Sequence, residues 1–117
     1  MDKLDALSAF SALSQPTRLD AFRLLVKAGT DGILAGEIAN KLDTLQNTTS
    51  VNLTILLNSG LVRNERQGRT IRYFVDFEAL RGLLSFMMED CCGGQPEICQ
   101  PIINEIACAN WENNHER

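Results

Sequence analysis

Apolar residues recur at helical spacing through the first third of the chain. A first stripe repeats every three residues and ends before Pro16: Leu4, Leu7, Phe10 and Leu13. A second helix is predicted from Pro16, a residue suited to a first helical turn, as far as Gly29. Its apolar face contains Leu19, Phe22, Leu25 and Val26.

Two shorter helical segments follow. The stretch "AGEIANKL" has Ala35, Ile38, Ala39 and Leu42 on one face. Asn47, with Ser50 three residues later, resembles the cap of the next helix, which buries Leu53, Leu56 and Leu57 and ends at Gly60. The opposite face is small and mostly uncharged: Thr48, Val51, Asn52 and Ile55, with Ser50 beside it. Two short helices joined by a tight turn form a helix-turn-helix, whose second helix can enter a DNA major groove.

The apolar period then changes from that of a helix to that of a strand. "LVRNER" and "TIRYFVDF" flank Gln67-Gly68-Arg69, which predicts a two-stranded hairpin. Alternation places Ile71, Tyr73, Val75 and Phe77 on one face, and Thr70, Arg72 and Phe74 on the other.

A closing helix is predicted from about Phe77 to Asp90, with Asp76 as its cap, and its apolar stripe is wider than one small core needs. We therefore expect a dimer interface, formed by Leu4, Leu7, Phe10, Leu83, Phe86, Met87 and Met88. "PIINEIACANW" predicts a final short helix with Ile102, Ile103 and Ile106 directed inward.

The predicted fold is mainly α with a small β-hairpin: a winged helix-turn-helix that forms a homodimer. Residues 1–92 make the DNA-binding and dimerisation domain, and residues 91–117 a cysteine-containing effector segment and tail of the same domain. A chain of 117 residues suits one domain. Because it has no leader-like start and no apolar run of membrane-spanning length, we expect a cytoplasmic protein without a membrane partner.

Charge is unevenly distributed along the chain. Residues 1–85 carry ten Lys/Arg against nine Asp/Glu, whereas residues 86–117 carry six acids against Arg117 alone. Four of the arginines lie in the hairpin, where they can contact phosphates: Arg63, Arg66, Arg69 and Arg72. The other predicted contacts to double-stranded DNA are Gln46, Asn47, Thr48, Ser50, Val51 and Asn52. The alternative is an ordinary solvated surface.

Cysteines are confined to the last part of the chain. Cys91, Cys92 and Cys99 lie within nine positions, and a reducing cytosol favours metal or redox chemistry over structural disulfides. As(III) and Sb(III) are soft, three-coordinate ions that match three thiolates from one flexible segment. Spare thiols, a redox pair or an adventitious zinc site are the alternatives. Cys108 is better explained as a small apolar residue than as a fourth ligand.

The amino-acid sequences of four segments resemble those of the ArsR/SmtB family of metal- and metalloid-responsive bacterial repressors: "ALSQPTRLDAFRLLVKAG", "AGEIANKL", "SGLVRNERQGRTIRYFVDFEALRGLL" and "MEDCCGG". The similarity covers about residues 4–99. It implies a homodimer that represses an operator in its own promoter and leaves it when an ion binds. Cys91, Cys92 and Cys99 resemble the site of an arsenic-responsive branch, which implies As(III) or Sb(III) as inducer and no organic cofactor.

Three features depart from patterns found in this family, two from the ion sites of its other branches and one from its usual recognition helix. "EIANKL" lacks their Cys-x-Cys, and the only histidine is His115, so the final helix has no histidine ligand. Ser50-Val51-Asn52-Leu53 replaces the usual Ser-x-His-Leu, and asparagine can pair bidentately with adenine.

The rival hypotheses are a thiol-oxidation sensor of the same fold and a small thiol enzyme such as an arsenate reductase. We do not expect an enzyme, because Glu89 and Asp90 precede the cysteine pair and would raise a thiol pKa. The sequence also lacks a Cys-x5-Arg loop and a Cys-x2-Cys redox pair.

Overall fold

A computed structural model describes residues 1–89 and 95–106 of the chain. The chain forms two compact units, Met1–Phe86 and Met87–Arg117. In chain order the elements are α1 (Lys3–Leu13), α2 (Pro16–Ala28), β1 (Ile33–Leu34), α3 (Ala35–Leu42), α4 (Gln46–Asn58), β2 (Val62–Gln67), β3 (Thr70–Val75), α5 (Phe77–Met88) and α6 (Pro96–Ile106), with a short 3-10 turn at Gly29–Asp31.

Helix α1 packs on the core through its small residues. Asp2 and Asp5 form a capping box at its start, and alanines make up its buried face: Ala6, Ala9 and Ala12. The large residues turn outward, with Leu4 76% and Leu7 53% exposed and Phe10 also exposed. These side chains are available for a partner, as the predicted dimer interface requires.

Helix α2 begins and ends where the sequence predicts. Pro16 occupies its first turn, the Gln15 side chain accepts a hydrogen bond from the Arg18 backbone N–H, and Gly29 caps its end at a φ of 62°. Of the predicted apolar face, Phe22 and Leu25 are buried while Leu19 and Val26 are exposed. The stripe facing the core is therefore displaced from the predicted one, since Ala21 is buried and Leu24 is packed against the core.

The sheet has three strands rather than the two predicted, in the order β1-β3-β2 and wholly antiparallel. The additional strand is β1, in which Ile33 pairs with Tyr73 and Leu34 with Arg72. In the hairpin, Val62 pairs with Val75 and Gln67 with Thr70, so the turn falls at Gly68, as predicted. We refer to the β2–β3 hairpin (residues 62–75) as the wing.

The core of the first unit lies between the helices and the inner face of the sheet. Its most deeply buried large side chains are Leu25, Ile38, Leu53, Leu56 and Leu61. Leu83 of α5 joins this core and is only 3% exposed, so its predicted place in a dimer interface is wrong. Met87, one turn further along α5, is exposed, and Phe86 is partly buried against the core.

Helix α5 begins at the predicted residue, since the Asp76 carboxylate accepts a hydrogen bond from the Ala79 backbone N–H at 3.1 Å. It ends at Met88, two residues before the predicted end.

In the second unit, α6 begins at Pro96 and contains Pro101, so it starts earlier than the predicted final helix. The expectation that Ile102, Ile103 and Ile106 point inward is wrong, because all three are exposed. Among the α6 residues whose burial the structure describes, 97–106, Cys99 is the buried one.

Candidate nucleic-acid interface

Helices α3 and α4 form the predicted helix-turn-helix. Helix α3 ends at Leu42, and its C-cap residue Asp43 adopts a φ of 53° and directs its N–H at the Ala39 and Asn40 carbonyls. The hydroxyls of Thr44 and buried Thr49 then lie 2.6 Å apart, which ties the turn to the first turn of α4. The predicted Asn47 cap is wrong, because the N-cap position of α4 is Leu45, two residues earlier, and it has no side-chain cap.

The N-terminal half of α4 presents a polar surface to solvent. Five of its six predicted DNA contacts are exposed: Gln46, Asn47, Thr48, Ser50 and Val51. Thr54 is exposed as well, and its hydroxyl donates to the Ser50 carbonyl at 2.9 Å. Thr54 was not among the predicted contacts, although its place one turn beyond Ser50 and Val51 could have indicated it.

Asn52 does not lie on that exposed face. It is 7% exposed, and its Oδ1 accepts a hydrogen bond from Arg18 Nη1 at 3.4 Å. The prediction that Asn52 is presented to bases is therefore contradicted by its burial. Ile55, expected on the same face, is half-buried and packs on the core.

The four wing arginines do not share one face. Arg63 pairs with Phe74 and Arg66 pairs with Ile71. Because side chains alternate along a strand, Arg63 and Arg72 lie on one face of the wing and Arg66 lies on the other. Arg69 occupies the turn beside Gly68, which has a φ of 67°.

Two of these arginines make contacts within the chain. The guanidinium of Arg63 lies 4.4 Å from the centre of the Phe74 ring and 3.9 Å from Glu65. Arg72 Nε donates to the Gln67 side chain at 3.0 Å, and its Nη1 donates to the Asp31 and Gly32 carbonyls. Within residues 1–89 and 95–106, Arg66 and Arg69 have no ion pair or side-chain hydrogen bond, so they are the wing cations open to a phosphate.

A groove of about 620 Å³ separates α4 from the wing. Polar side chains line it from both sides, among them Glu37, Asn40, Gln46, Asn47, Ser50, Arg69, Thr70 and Tyr73. The predicted base-reading helix and Arg69 therefore border the same cleft.

The predicted ion site is only partly within the described residues. Cys91 and Cys92 lie outside them, while Cys99 lies on α6, is 5% exposed and is disulfide-bonded. Among the residues the structure does describe, no three Cys, His, Asp or Glu side chains are grouped to hold a metal ion. The described part of the chain also has no helix that is both long and apolar enough to cross a membrane.

A helix-turn-helix carrying an exposed polar recognition helix, with a basic β-hairpin beside it, defines a winged helix-turn-helix DNA-binding protein. The family model described as "Helix-turn-helix domain" matches residues 13–65. The uncharacterised HTH-type transcriptional regulator YbzH of Bacillus subtilis (strain 168) is 32% identical over 96 residues, which cover 72% of this chain and 96% of that protein.

Solved structures agree with this assignment. An ArsR-like transcriptional regulator from Rhodococcus sp. RHA1 is 27% identical, with 89% of this chain and 93% of that chain covered and a TM-score of 0.64. The homodimeric winged helix-turn-helix DNA-binding domain of Mb0332 from Mycobacterium bovis is 24% identical, with 74% and 80% covered and a TM-score of 0.60. The chain belongs to the HTH-type transcriptional regulators and is a DNA-binding regulator of the ArsR kind.

Proposed function

We propose that this protein is a homodimeric repressor of an arsenic-resistance operon, released from its operator when As(III) or Sb(III) binds Cys91, Cys92 and Cys99. The observation that carries the proposal is the placement of these thiols along the chain: two follow soon after α5, and the third lies on α6. The helix that precedes them exposes Leu84 and Met87. An ion held there can thus act on a helix suited to a dimer contact.

The DNA-binding surface consists of the exposed face of α4 and the wing. Side chains of Thr48, Ser50 and Val51 are proposed to meet base edges, while Gln46, Asn47 and the wing arginines meet phosphates. Arg66 and Arg69 are expected to carry most of the wing's contribution, because Arg63 and Arg72 already have partners within the chain.

The homodimer is supported by the outward-facing apolar side chains of α1. Leu4, Leu7 and Phe10 lie on a helix whose own core contacts are made by alanines. Exposed large apolar residues that follow one helix face mark an interaction surface. Two subunits would place their recognition helices in successive major grooves, about 34 Å apart.

The chemistry of the donor set fits a soft trivalent ion. Three thiolates provide the three-coordinate sulfur ligation that As(III) prefers, with no oxygen or nitrogen ligand needed. Cys99 is nearly excluded from water, which favours a neutral ion–thiolate complex over a hydrated one. Because the ligands are thiolates, binding requires the reduced protein.

A second candidate is a thiol-oxidation sensor of the same fold, favoured by the disulfide at Cys99. In this scheme two thiols lose two electrons and two protons to an oxidant such as hydrogen peroxide, which is reduced to water. The new S–S bond would then take the place of the ion as the event that releases DNA.

Fluorescence anisotropy of the protein's own upstream DNA separates these candidates. Reduced protein is bound to the duplex and titrated in parallel with arsenite, zinc and, after removal of the reductant, peroxide. The expected result is release by arsenite and retention with zinc. Cys91→Ser should abolish the arsenite response, whereas the matched control Cys108→Ser should retain it.

The opposite pattern would overturn the proposal. If arsenite leaves the complex intact and peroxide alone releases it, the oxidation sensor is the function. If Cys91→Ser responds to arsenite as the wild type does, the ion does not bind at these thiols.

A further inference from the structure

Arg18, at the start of α2, connects two helices that are distant in sequence. Its Nε donates to the Ala12 carbonyl at 2.7 Å, and its Nη1 donates to Asn52 Oδ1 at 3.4 Å. Its own backbone N–H is held by the Gln15 side chain at 2.8 Å. One guanidinium therefore bridges the end of α1 and the middle of α4.

Each acceptor lies at a point where a cation is favourable. Ala12 is in the last turn of α1, where carbonyl groups lack helical partners and the helix dipole favours positive charge. Asn52 is one of two buried polar residues of α4, so its amide oxygen needs a donor within the protein. The flat, forked guanidinium offers a separate N–H donor to each acceptor, Nε to Ala12 and Nη1 to Asn52.

The location of these two acceptors suggests what the bridge controls. Asn52 lies on α4 immediately after Ser50 and Val51, two exposed residues of the DNA-facing surface. Ala12 lies on α1, the helix that exposes Leu4, Leu7 and Phe10. A rotation or slide of α4 against α1 would break one of the two Arg18 hydrogen bonds.

We propose that Arg18 is a positioning residue, which acts through Asn52 to hold the recognition helix α4 at a fixed angle to α1. This rests on α4 being the helix that enters the groove. In this proposal Asn52 does not read a base. Its Oδ1 accepts a hydrogen bond from Arg18, and Asn52 thereby orients its exposed neighbours Ser50 and Val51. Loss of either Arg18 or Asn52 should weaken DNA binding in the same way, because each loss frees α4 from its fixed angle to α1.

A double-mutant cycle tests the coupling. The variants are Arg18→Gln, Asn52→Ala and the pair together, with Arg23→Gln as a control for loss of an exposed arginine on the same helix. DNA affinity is measured by anisotropy at several salt concentrations, and urea unfolding confirms that each variant is folded at the assay temperature. Sedimentation velocity reports the oligomeric state in parallel.

We expect each single change to weaken DNA binding about tenfold, and the double change to be no weaker than either single change. The salt slope should stay that of the wild type, because Arg18 touches no phosphate, and Arg23→Gln should bind nearly normally. Additive losses, or wild-type affinity in folded Arg18→Gln, would overturn the proposal. A salt slope reduced by about one in Arg18→Gln would also overturn it, since that result shows a direct phosphate contact.

Sedimentation velocity tests the proposed homodimer separately from the coupling. A monomeric wild type would refute the proposed homodimer, whereas the coupling between Arg18 and Asn52 would still be decided by the cycle.

Discussion

Gly32 shows how one residue without a side chain permits the sheet to form. A Cβ at this position would lie 2.6 Å from both the Phe74 ring and the Tyr73 carbonyl oxygen. Its φ of 66° is also one that other residues seldom adopt. Because the obstructing atoms include backbone of the central strand, β1 can reach β3 only when this position is glycine.

Gly32→Ala should therefore be strongly destabilising, by about 3–5 kcal/mol, from the sum of overpacking and positive-φ strain. Gly29→Ala is the matched control, since Gly29 has a similar φ of 62° but a methyl group added there would meet no atom within 4 Å. That change should cost only about 1–2 kcal/mol. Urea unfolding followed by circular dichroism gives both values; equal losses would show that the close approach to Phe74 and Tyr73 can be relieved at little cost.

The burial of Asn52 could not be predicted from the sequence, whereas the exposure of its neighbours on the predicted site could. Helical spacing placed it beside Thr48 and Val51, and the exposure of those two follows from the same spacing. Its burial depends on Arg18, a residue 34 positions away that no local pattern connects to it. Asparagine is common on polar helix faces, so nothing in the local sequence indicates that this amide serves the protein interior.

At the scale of elements, the sequence predicted the helix-turn-helix and the wing because each rests on a local signal. The change of apolar period after Gly60 and the glycine at position 68 define the hairpin without reference to the rest of the chain. β1 has only two residues, too few for any alternation to be read. It exists through pairing with Tyr73 and Arg72, a contact that only the folded chain brings together.

We expect the wing arginines to differ in role, with Arg66 and Arg69 binding DNA and Arg72 stabilising the fold. Arg66→Ala and Arg69→Ala are each expected to reduce the salt slope of DNA binding by nearly one, with little change in stability, because neither side chain has a partner in the described residues. Arg72→Ala should instead lower the free energy of unfolding by about 1–2 kcal/mol, since it leaves the Asp31 and Gly32 carbonyls without this donor.

Anisotropy across a salt series and urea unfolding together measure these effects. Arg81→Ala removes an exposed arginine of α5 that pairs with Glu78, and it controls for the loss of charge alone. An unchanged salt slope in both Arg66→Ala and Arg69→Ala would remove the wing from the DNA interface.

At the scale of the whole molecule, the exposed side of α1 is the surface through which we propose that two subunits hold their recognition helices together. Alanines face the core and leucine and phenylalanine face outward, an arrangement that leaves apolar surface in water when the chain is a monomer. The apolar spacing in the sequence identified Leu4, Leu7 and Phe10 as interface residues. It also assigned Leu83 to the interface, although Leu83 belongs to the core. Helical spacing alone does not say which apolar stripe of α5 meets the chain's own core.

Leu7→Glu should convert the dimer to a monomer. Leu7 is 53% exposed in one subunit, but in the proposed interface a carboxylate at this position would be buried without a charged or hydrogen-bonding partner. We expect the dimer dissociation constant to rise at least about 100-fold, with unfolding of the subunit little changed. Sedimentation velocity measures the first effect and urea unfolding the second. Leu19→Glu, an exposed leucine of α2, is the matched control and should remain dimeric.

The same variant links dimerisation to DNA recognition. The wild type should prefer two half-sites spaced by one helical turn, about 34 Å, over the same half-sites displaced by half a turn. Leu7→Glu should bind both duplexes equally, at the affinity of a single half-site, because nothing then fixes the distance between two α4 helices. A Leu7→Glu protein that still sediments as a dimer and still discriminates the spacings would show that α1 does not form the interface.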